Sequence, residues 1–319
     1  MTTGRITVLG ECVADAFVAD TREAGELGLR VLPGGGPANT AVALARLGTP
    51  TRFLGRISTD VFGSLFRTRL ASSGVDLSAC VTATEPSTLA VADVGADGQA
   101  AYSFHAEATA DFQWSRGELP VSANGSAACL HTGSLALVRA PGADSVDDFV
   151  SRVRADCTVS IDPNVRPLLV PARSYRARMA AWCALADILR LSEDDLRHLH
   201  PHESVEAACD RWHDAGAGLV VVTLGERGAV VSVNGQRATV PAPSVDIVDT
   251  VGAGDAFTAG FLHHLSHAGL LGGRLVRVDL AAAVAAASFA VEAAALTCTV
   301  AGANPPWRHQ LRESETIRG

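Results

Sequence analysis

Short β-branched runs alternating with longer helical patterns predict an α/β fold in three layers, a mostly parallel central sheet between helices, with a small β lid. Residues 6–9, 52–54, 128–131, 158–162, 188–191 and 219–223 read as strands, being brief, apolar and rich in Val, Ile and Leu. Residues 38–47, 62–73, 146–154 and 205–215 carry the longer helical patterns between them, and the Ala-rich stretch 281–296 reads as a buried helix. Two stretches break the rhythm, roughly 13–32 and 89–104. The second alternates through Leu89, Val91 and Val94, then 101–104 across an Asp97-Gly98 turn, so both read as antiparallel lid strands. Neither a linker nor an internal repeat interrupts the chain, and residues 1–319 are expected to form a single domain carrying that lid.

Composition narrows the function. With 319 residues, 48% hydrophobic and 19% charged, the chain can bury a large core and is neither disordered nor fibrous. A net charge of -8 opposes nucleic acid and anionic membrane as partners, which leaves a small-molecule ligand as the expectation. Every Lys+Arg residue of the 26 is arginine. Without lysine there is no Walker A loop, no protein-kinase strand lysine and no Schiff base. Positive charge for a phosphate must come from Arg, a metal or backbone dipoles. Seven scattered cysteines without C-x-x-C spacing read as reduced and structural. The first residues run into a strand pattern without a basic leader and apolar core, so a cytoplasmic address is expected.

Two motifs carry chemistry. In Asp249-Thr250-Val251-Gly252-Ala253-Gly254-Asp255, three small residues let backbone N–H groups turn inward at a helix start, where unsatisfied donors and the dipole favour an anion. Asp255, beside that cradle, has the wrong charge to hold a phosphate and the right one to take a proton from an attacking hydroxyl. Alone, the heptad reads equally as an ordinary acidic helix start. The glycines of Pro33-Gly34-Gly35-Gly36-Pro37-Ala38-Asn39 would let a polyol approach the backbone, with Asn39 donating to and accepting from vicinal hydroxyls. A plain glycine turn explains that segment equally well. Asp15, beyond Gly10-Glu11, could accept from two hydroxyls, or be an exposed loop residue. His198, His200 and His202 fit a solvated surface better than a metal site, and His263, His264 and His267 lack a completing carboxylate.

Together, Gly34-Gly35-Gly36-Pro37-Ala38-Asn39 and residues 249–255 resemble the two signatures of the ribokinase-like, PfkB-type carbohydrate kinases. Val8-Leu9-Gly10-Glu11 with Asp15, residues 130–135, 161–167 and 222–228 extend the resemblance over nearly the whole chain. It implies a ribokinase-like fold and transfer of the ATP γ-phosphoryl to a sugar. Asp255 would be the base, Gly252, Ala253 and Gly254 the anion hole. Asp15, Gly34, Gly35, Gly36, Asn39 and the lid residue Phe104 would bind sugar. Thr223, Gly225 and Gly228 resemble a nucleotide-binding turn. Asn164 and Arg166 match the Asp-Pro-Asn-x-Arg segment of the fructokinase and 2-keto-3-deoxygluconate kinase branches, facing phosphates and substrate. Arg166 is then the candidate charge on the transferring phosphate.

Three positions depart from the family pattern. Ser192-Glu193-Asp194-Asp195 stands where Asn-x-x-Glu is associated with Mg²⁺, placing Ser192 by the nucleotide and Asp195 near Mg²⁺ through water. Ala106 stands where the lid arginine reads the sugar, and Val291 where an Asn is common beside adenine. Asp249 matches a position near the monovalent-cation loop, which leaves K⁺ dependence open. Fructose is the first expected acceptor, with 2-keto-3-deoxygluconate, ribose and nucleosides as alternatives. A non-catalytic sugar or nucleotide sensor is the alternative class; a dinucleotide enzyme is disfavoured by the missing G-x-G-x-x-G. The resemblance also implies a homodimer built through the lids.

Overall fold

The computed structural model describes residues 4–19, 25–94, 100–120 and 127–311. The first half of the chain runs β1 (Arg5–Leu9), β2 (Val13–Ala19), β3 (Gly28–Gly34), α1 (Gly36–Arg46), β4 (Thr51–Leu54), β5 (Arg56–Ser58), α2 (Val61–Ser72), β6 (Val81–Ala83), β7 (Thr88–Val94) and β8 (Ala100–His105). It continues through β9 (Ala127–Gly133), α3 (Ala143–Val153), β10 (Thr158–Asp162), α4 (Ala172–Leu185), β11 (Ile188–Ser192), α5 (Glu193–Leu199), α6 (Val205–Asp214) and β12 (Leu219–Thr223). β13 (Ala229–Val233), β14 (Gln236–Val240), α7 (Ala253–His267) and α8 (Leu280–Cys298) complete it.

The main sheet has the order β14-β13-β12-β11-β10-β9-β1-β4 and is parallel from β4 to β12. Alternate side chains feed two cores, as the period of two requires. Ile188, Leu219 and Val221 join the layer of α1, α2, α7 and α8, while Leu189, Leu191, Val220 and Val222 join that of α3 to α6. An antiparallel hairpin absent from the sequence expectation, β13–β14, closes one edge. Its turn is Asn234-Gly235 with φ of 49° and 78°, the left-handed pair that two-residue hairpins need. Helix α8 is long and apolar enough by composition to cross a membrane, and it packs against α7, β13 and β14 in the core. Small residues make that seam close: a Cβ on Gly260 would lie 3.0 Å from Ala290 Cα.

The lid is a separate sheet, β3-β2-β7-β8. Two of its pairings are antiparallel, but β2 and β7 run parallel, which corrects the expectation of a purely antiparallel lid. The reason is topological: both strands leave the body in the same direction. The expected Asp97-Gly98 turn lies outside the described residues. Leu32, Asp15, Ala90 and Phe104 stand opposite one another across the four strands, so they share one lid face.

Four chain crossings join lid to body, and they meet at one place. The buried Asp111 carboxylate accepts the Cys12 N–H (2.8 Å) between β1 and β2, and the Thr88 hydroxyl (2.7 Å) at the start of β7. Thr88 also bonds Thr109 (2.7 Å), beyond β8. At the fourth crossing Gly35, with φ of 100°, packs so that a Cβ would fall 2.6 Å from the Glu11 carbonyl oxygen. Burial pushes the Asp111 carboxyl up to about 6, against hydrogen bonds that lower it. Asp111→Ala strands the Cys12 N–H, so urea unfolding should show a loss of about 1–3 kcal/mol.

Candidate active site

Two helix N-termini converge over the carboxyl ends of the parallel strands. Helix α1 is capped by Gly35 and has Pro37 in its first turn, where the missing N–H is harmless. Helix α7 is capped by Gly252 in the left-handed region, φ 80°. Its first i to i−4 bond runs from Ala256 N–H to the Gly252 carbonyl (2.9 Å), so the N–H groups of Gly254 and Asp255 precede it at the open helix end. A Cβ on Gly252 would lie 2.8 Å from Ala303 Cβ, so the cradle admits no larger residue without displacement.

Asn39 and Asp255, 216 residues apart, meet in one hydrogen bond: Asn39 Nδ2 donates to Asp255 Oδ2 at 2.9 Å. A Cβ on Gly36 would be 2.8 Å from Asn164 Nδ2 and 3.3 Å from Asp255 Oδ1, which brings Asn164 to the same point. Asn164 holds a left-handed backbone, φ 41°, its N–H donated to Asp162 Oδ1 at 3.1 Å. Burial raises the Asp255 carboxyl to about 6; the Asn39 bond lowers it, Asp162 raises it, and Arg166 and Arg190 lower it. Asp255 therefore titrates near neutrality while remaining ionised above it.

Asp15 lies within strand β2 and not in an exposed loop, because the chain passes straight from β1 into the lid. Burial raises it to about 6, against the Arg166 charge. A Cβ on Gly34 would land 2.0 Å from Asp15 Oδ2, so only glycine lets that carboxylate sit there. Arg166 is exposed and its charge acts on both Asp15 and Asp255. Phe104 shares the Asp15 face of the lid and stacks on Tyr102 with centroids 5.8 Å apart. Ala106 is buried, its carbonyl accepting from Arg139 Nη2 at 2.9 Å.

On the other flank, Thr223 ends β12, and Gly225 (φ 61°) and Gly228 (φ 91°) frame the turn that follows. The buried Val240 carbonyl oxygen lies 1.9 Å from where a Gly228 Cβ would be. Ser192 and Asp195 form a capping box at α5: Ser192 Oγ accepts the Asp195 N–H while Asp195 Oδ2 accepts the Ser192 N–H. Asp195 Oδ1 accepts the Val165 N–H at 2.7 Å. Both carboxylate oxygens are thus engaged by the protein. Asp249 likewise accepts from Val251 N–H (3.0 Å) and Gly302 N–H (2.8 Å), fastening the cradle loop to the turn after α8. Of the histidines, His263 Nδ1 bonds Thr49 Oγ1 at 2.7 Å and its ring stacks on Phe289.

Sequence reasoning missed Arg190. It lies in the middle of β11 with its side chain buried, and Nη1 donates to Asp162 Oδ2 (2.7 Å) and Nη2 to Thr223 Oγ1 (2.8 Å). The available signal was a lone charge inside an otherwise apolar parallel strand, Ile188-Leu189-Arg190-Leu191.

The model of the pfkB family carbohydrate kinases matches residues 4–310. A fructokinase of Rhizobium leguminosarum bv. trifolii is 37% identical over 272 residues, 85% of this chain and 82% of that protein. A fructokinase of Klebsiella pneumoniae is 33% identical over 98% of this chain and 99% of its own length. Among solved structures, Xylella fastidiosa fructokinase with bound ATP superposes with a TM-score of 0.87 at 26% identity, covering 98% of this chain and 99% of that one. A Vibrio cholerae O395 fructokinase double mutant with fructose, ADP and potassium gives 0.82 at 28% identity, covering 98% of each chain.

Folding a buried acid raised to about 6 penalises its ionised form, so this contribution to stability is full below about pH 4 and lost as pH rises to about 6. Asp255→Asn removes the penalty. Thermal melts should show the variant more stable than the native chain by about 1–2 kcal/mol at pH 7.5, with the difference vanishing near pH 4.

Proposed function

The chain belongs to the pfkB family of carbohydrate kinases, phosphotransferases with an alcohol acceptor, and we propose that it transfers the ATP γ-phosphoryl to the primary hydroxyl of fructose. The observation that carries this reading is the 2.9 Å bond between Asn39 and Asp255, which joins a sugar-facing helix start to an anion-facing one. Fructose enters from the relatives: the curated proteins above are fructokinases, and the Vibrio structure holds fructose.

In this reading Asp15, Asn39 and the glycines 34–36 take the hydroxyls of the sugar, with Phe104 over it from the lid. Asp255 accepts the proton of the attacking hydroxyl, as the oxygen–phosphorus bond forms and the bond to the leaving ADP breaks. The N–H groups at Gly252 and Gly254 meet the charge that develops on the transferred group, while the Ala253 N–H is turned to the Thr250 carbonyl (3.2 Å). Arg166, exposed and with its charge felt by both Asp15 and Asp255, supplies a cation at the same point. Thr223, Gly225, Gly228, Asn164 and Ser192 flank the nucleotide. The open α7 terminus, which a Cβ at Gly252 would fill, fits an anion.

Mg²⁺ carried with ATP would neutralise phosphate charge, with Asp195 near it through water. Asp249 is the residue nearest in role to a monovalent cation, which the Vibrio relative holds as potassium. Val18 and Leu29 pair across β2 and β3 on the lid face opposite Asp15 and are 36% and 42% exposed, which supports a homodimer through the lids.

ATP consumption over fructose, ribose, 2-keto-3-deoxygluconate and adenosine, with Asp255→Asn alongside, tests the reading. Turnover on fructose should fall roughly 10²- to 10⁴-fold in the variant, with smaller effects on KM. Near-native turnover in that variant would remove Asp255 as base. In a second assay, Gly34→Ala pushes the Asp15 carboxylate away and should raise the KM for the sugar about tenfold or more while the KM for ATP holds.

A further inference from the structure

Arg190 sits where the two halves of the site come closest. A Cβ on Gly254 would lie 2.9 Å from Arg190 Nη2 and 3.1 Å from Nη1, so the guanidinium lies directly beneath the first turn of α7. One arm reaches Asp162 at the end of β10, and the other reaches Thr223 at the end of β12. Asp162 in turn fixes the N–H of Asn164. The face of the guanidinium lies 5.7 Å from the centre of the Phe257 ring, one turn into α7. Among the described residues its Nε has no hydrogen-bond partner. This is a rigid buried fork on β11, held from β10 and β12 and pressed against α7.

We infer that Arg190 is a positioning residue for phosphoryl transfer: from below the anion cradle it supplies a fixed positive charge beside Asp255 and ties the Asn164 loop to the Thr223 turn. The inference rests on the function proposed above. Its charge is secure, because burial opposes the cation while Asp162, Asp195 and Asp255 favour it, leaving it raised. The groups facing Asp255 are Asn39 from α1, Asp162 from β10, Arg166 from the loop after it, and Arg190 from β11. His131 of β9, also beside Arg190, is pushed down to about 3 by burial and that cation, so it is neutral and adds no charge. Of the two cations near Asp255, Arg166 is exposed, whereas Arg190 is 7% exposed and its guanidinium is held in place by Asp162 and Thr223. Lysine would keep the charge and lose the fork, since an ammonium cannot hold Asp162 and Thr223 in one plane.

The test is the pH profile of kcat on fructose for Arg190→Met, Arg190→Lys and Asp162→Asn, with folding checked by thermal melts. Arg190→Met should lower kcat about 100-fold at pH 7 and move the acid limb up by about one pH unit, leaving the KM for fructose within about threefold. Arg190→Lys should return the limb and part of kcat. Asp162→Asn removes the opposing carboxylate and should move the limb down, an informative sign even if Arg190→Met does not fold. A limb unmoved in both Arg190→Met and Asp162→Asn, with kcat lost equally at every pH, overturns the inference. If the native chain consumes no ATP with any sugar, the proposed function falls instead. Arg190 is then decided by ¹³C NMR titration of the Asp255 carboxyl: an upward displacement in Arg190→Met supports the inference, and none overturns it.

Discussion

Two helix N-termini brought to one point set the terms for the rest of the molecule. Each brings a positive dipole end and unsatisfied N–H groups, and α1 and α7 aim both at the edge of the parallel sheet. Such a concentration of donors is unstable unless acceptors meet it. Asp255, Asp162 and Asp15 provide negative charge, and the Asn39 bond ties the first of these across the junction. The glycines follow from the same crowding. Gly34 yields space to Asp15, Gly36 to Asn164 and Asp255, and Gly254 to Arg190. Each is a place where a polar group has taken the volume of a methyl.

That arrangement opposes stability locally. Glu11, Asp15, Asp111 and Asp255 are all raised above ordinary carboxylate values, to about 7, 6, 6 and 6, chiefly by burial. Compensation comes from the two cores, with Trp182, Trp212 and Tyr175 fully buried in that of α3 to α6, and from the small-residue seam between α7 and α8. Because α7 carries the cradle at its first turn, the tight contact of Gly260 with α8 also fixes the height of that turn above the sheet. Packing and chemistry therefore share one helix.

The parallel core was readable because buried strands are continuous apolar runs, and residues 158–162 and 219–223 match their observed strands. Helix α4 was missed: its Ala-Arg-Ser-Tyr-Arg-Ala-Arg-Met start mixes exposed arginines with the few side chains that bury. The β13–β14 hairpin left a legible signal in Asn234-Gly235. Of the site, the glycines and Asp255 announced themselves by spacing. Arg190 did not, since its meaning depends on Asp162, Thr223 and Gly254, which only the sheet register and the seating of α7 bring together. Asp195 carries a part the resemblance did not imply: beside its expected place near Mg²⁺ through water, it completes the capping box of α5.

The gathering of the lid crossings around Asp111 has a mechanical meaning. A sheet suspended from four separated points would flex strand by strand, whereas one whose strands all leave the body beside a single carboxylate turns as a stiff board on a pintle. Asp15 on β2 and Phe104 on β8 lie in one cross-strand row of that board. Any swing carries them through the same arc, so the polar grip and the apolar cover reach a bound molecule in one stroke.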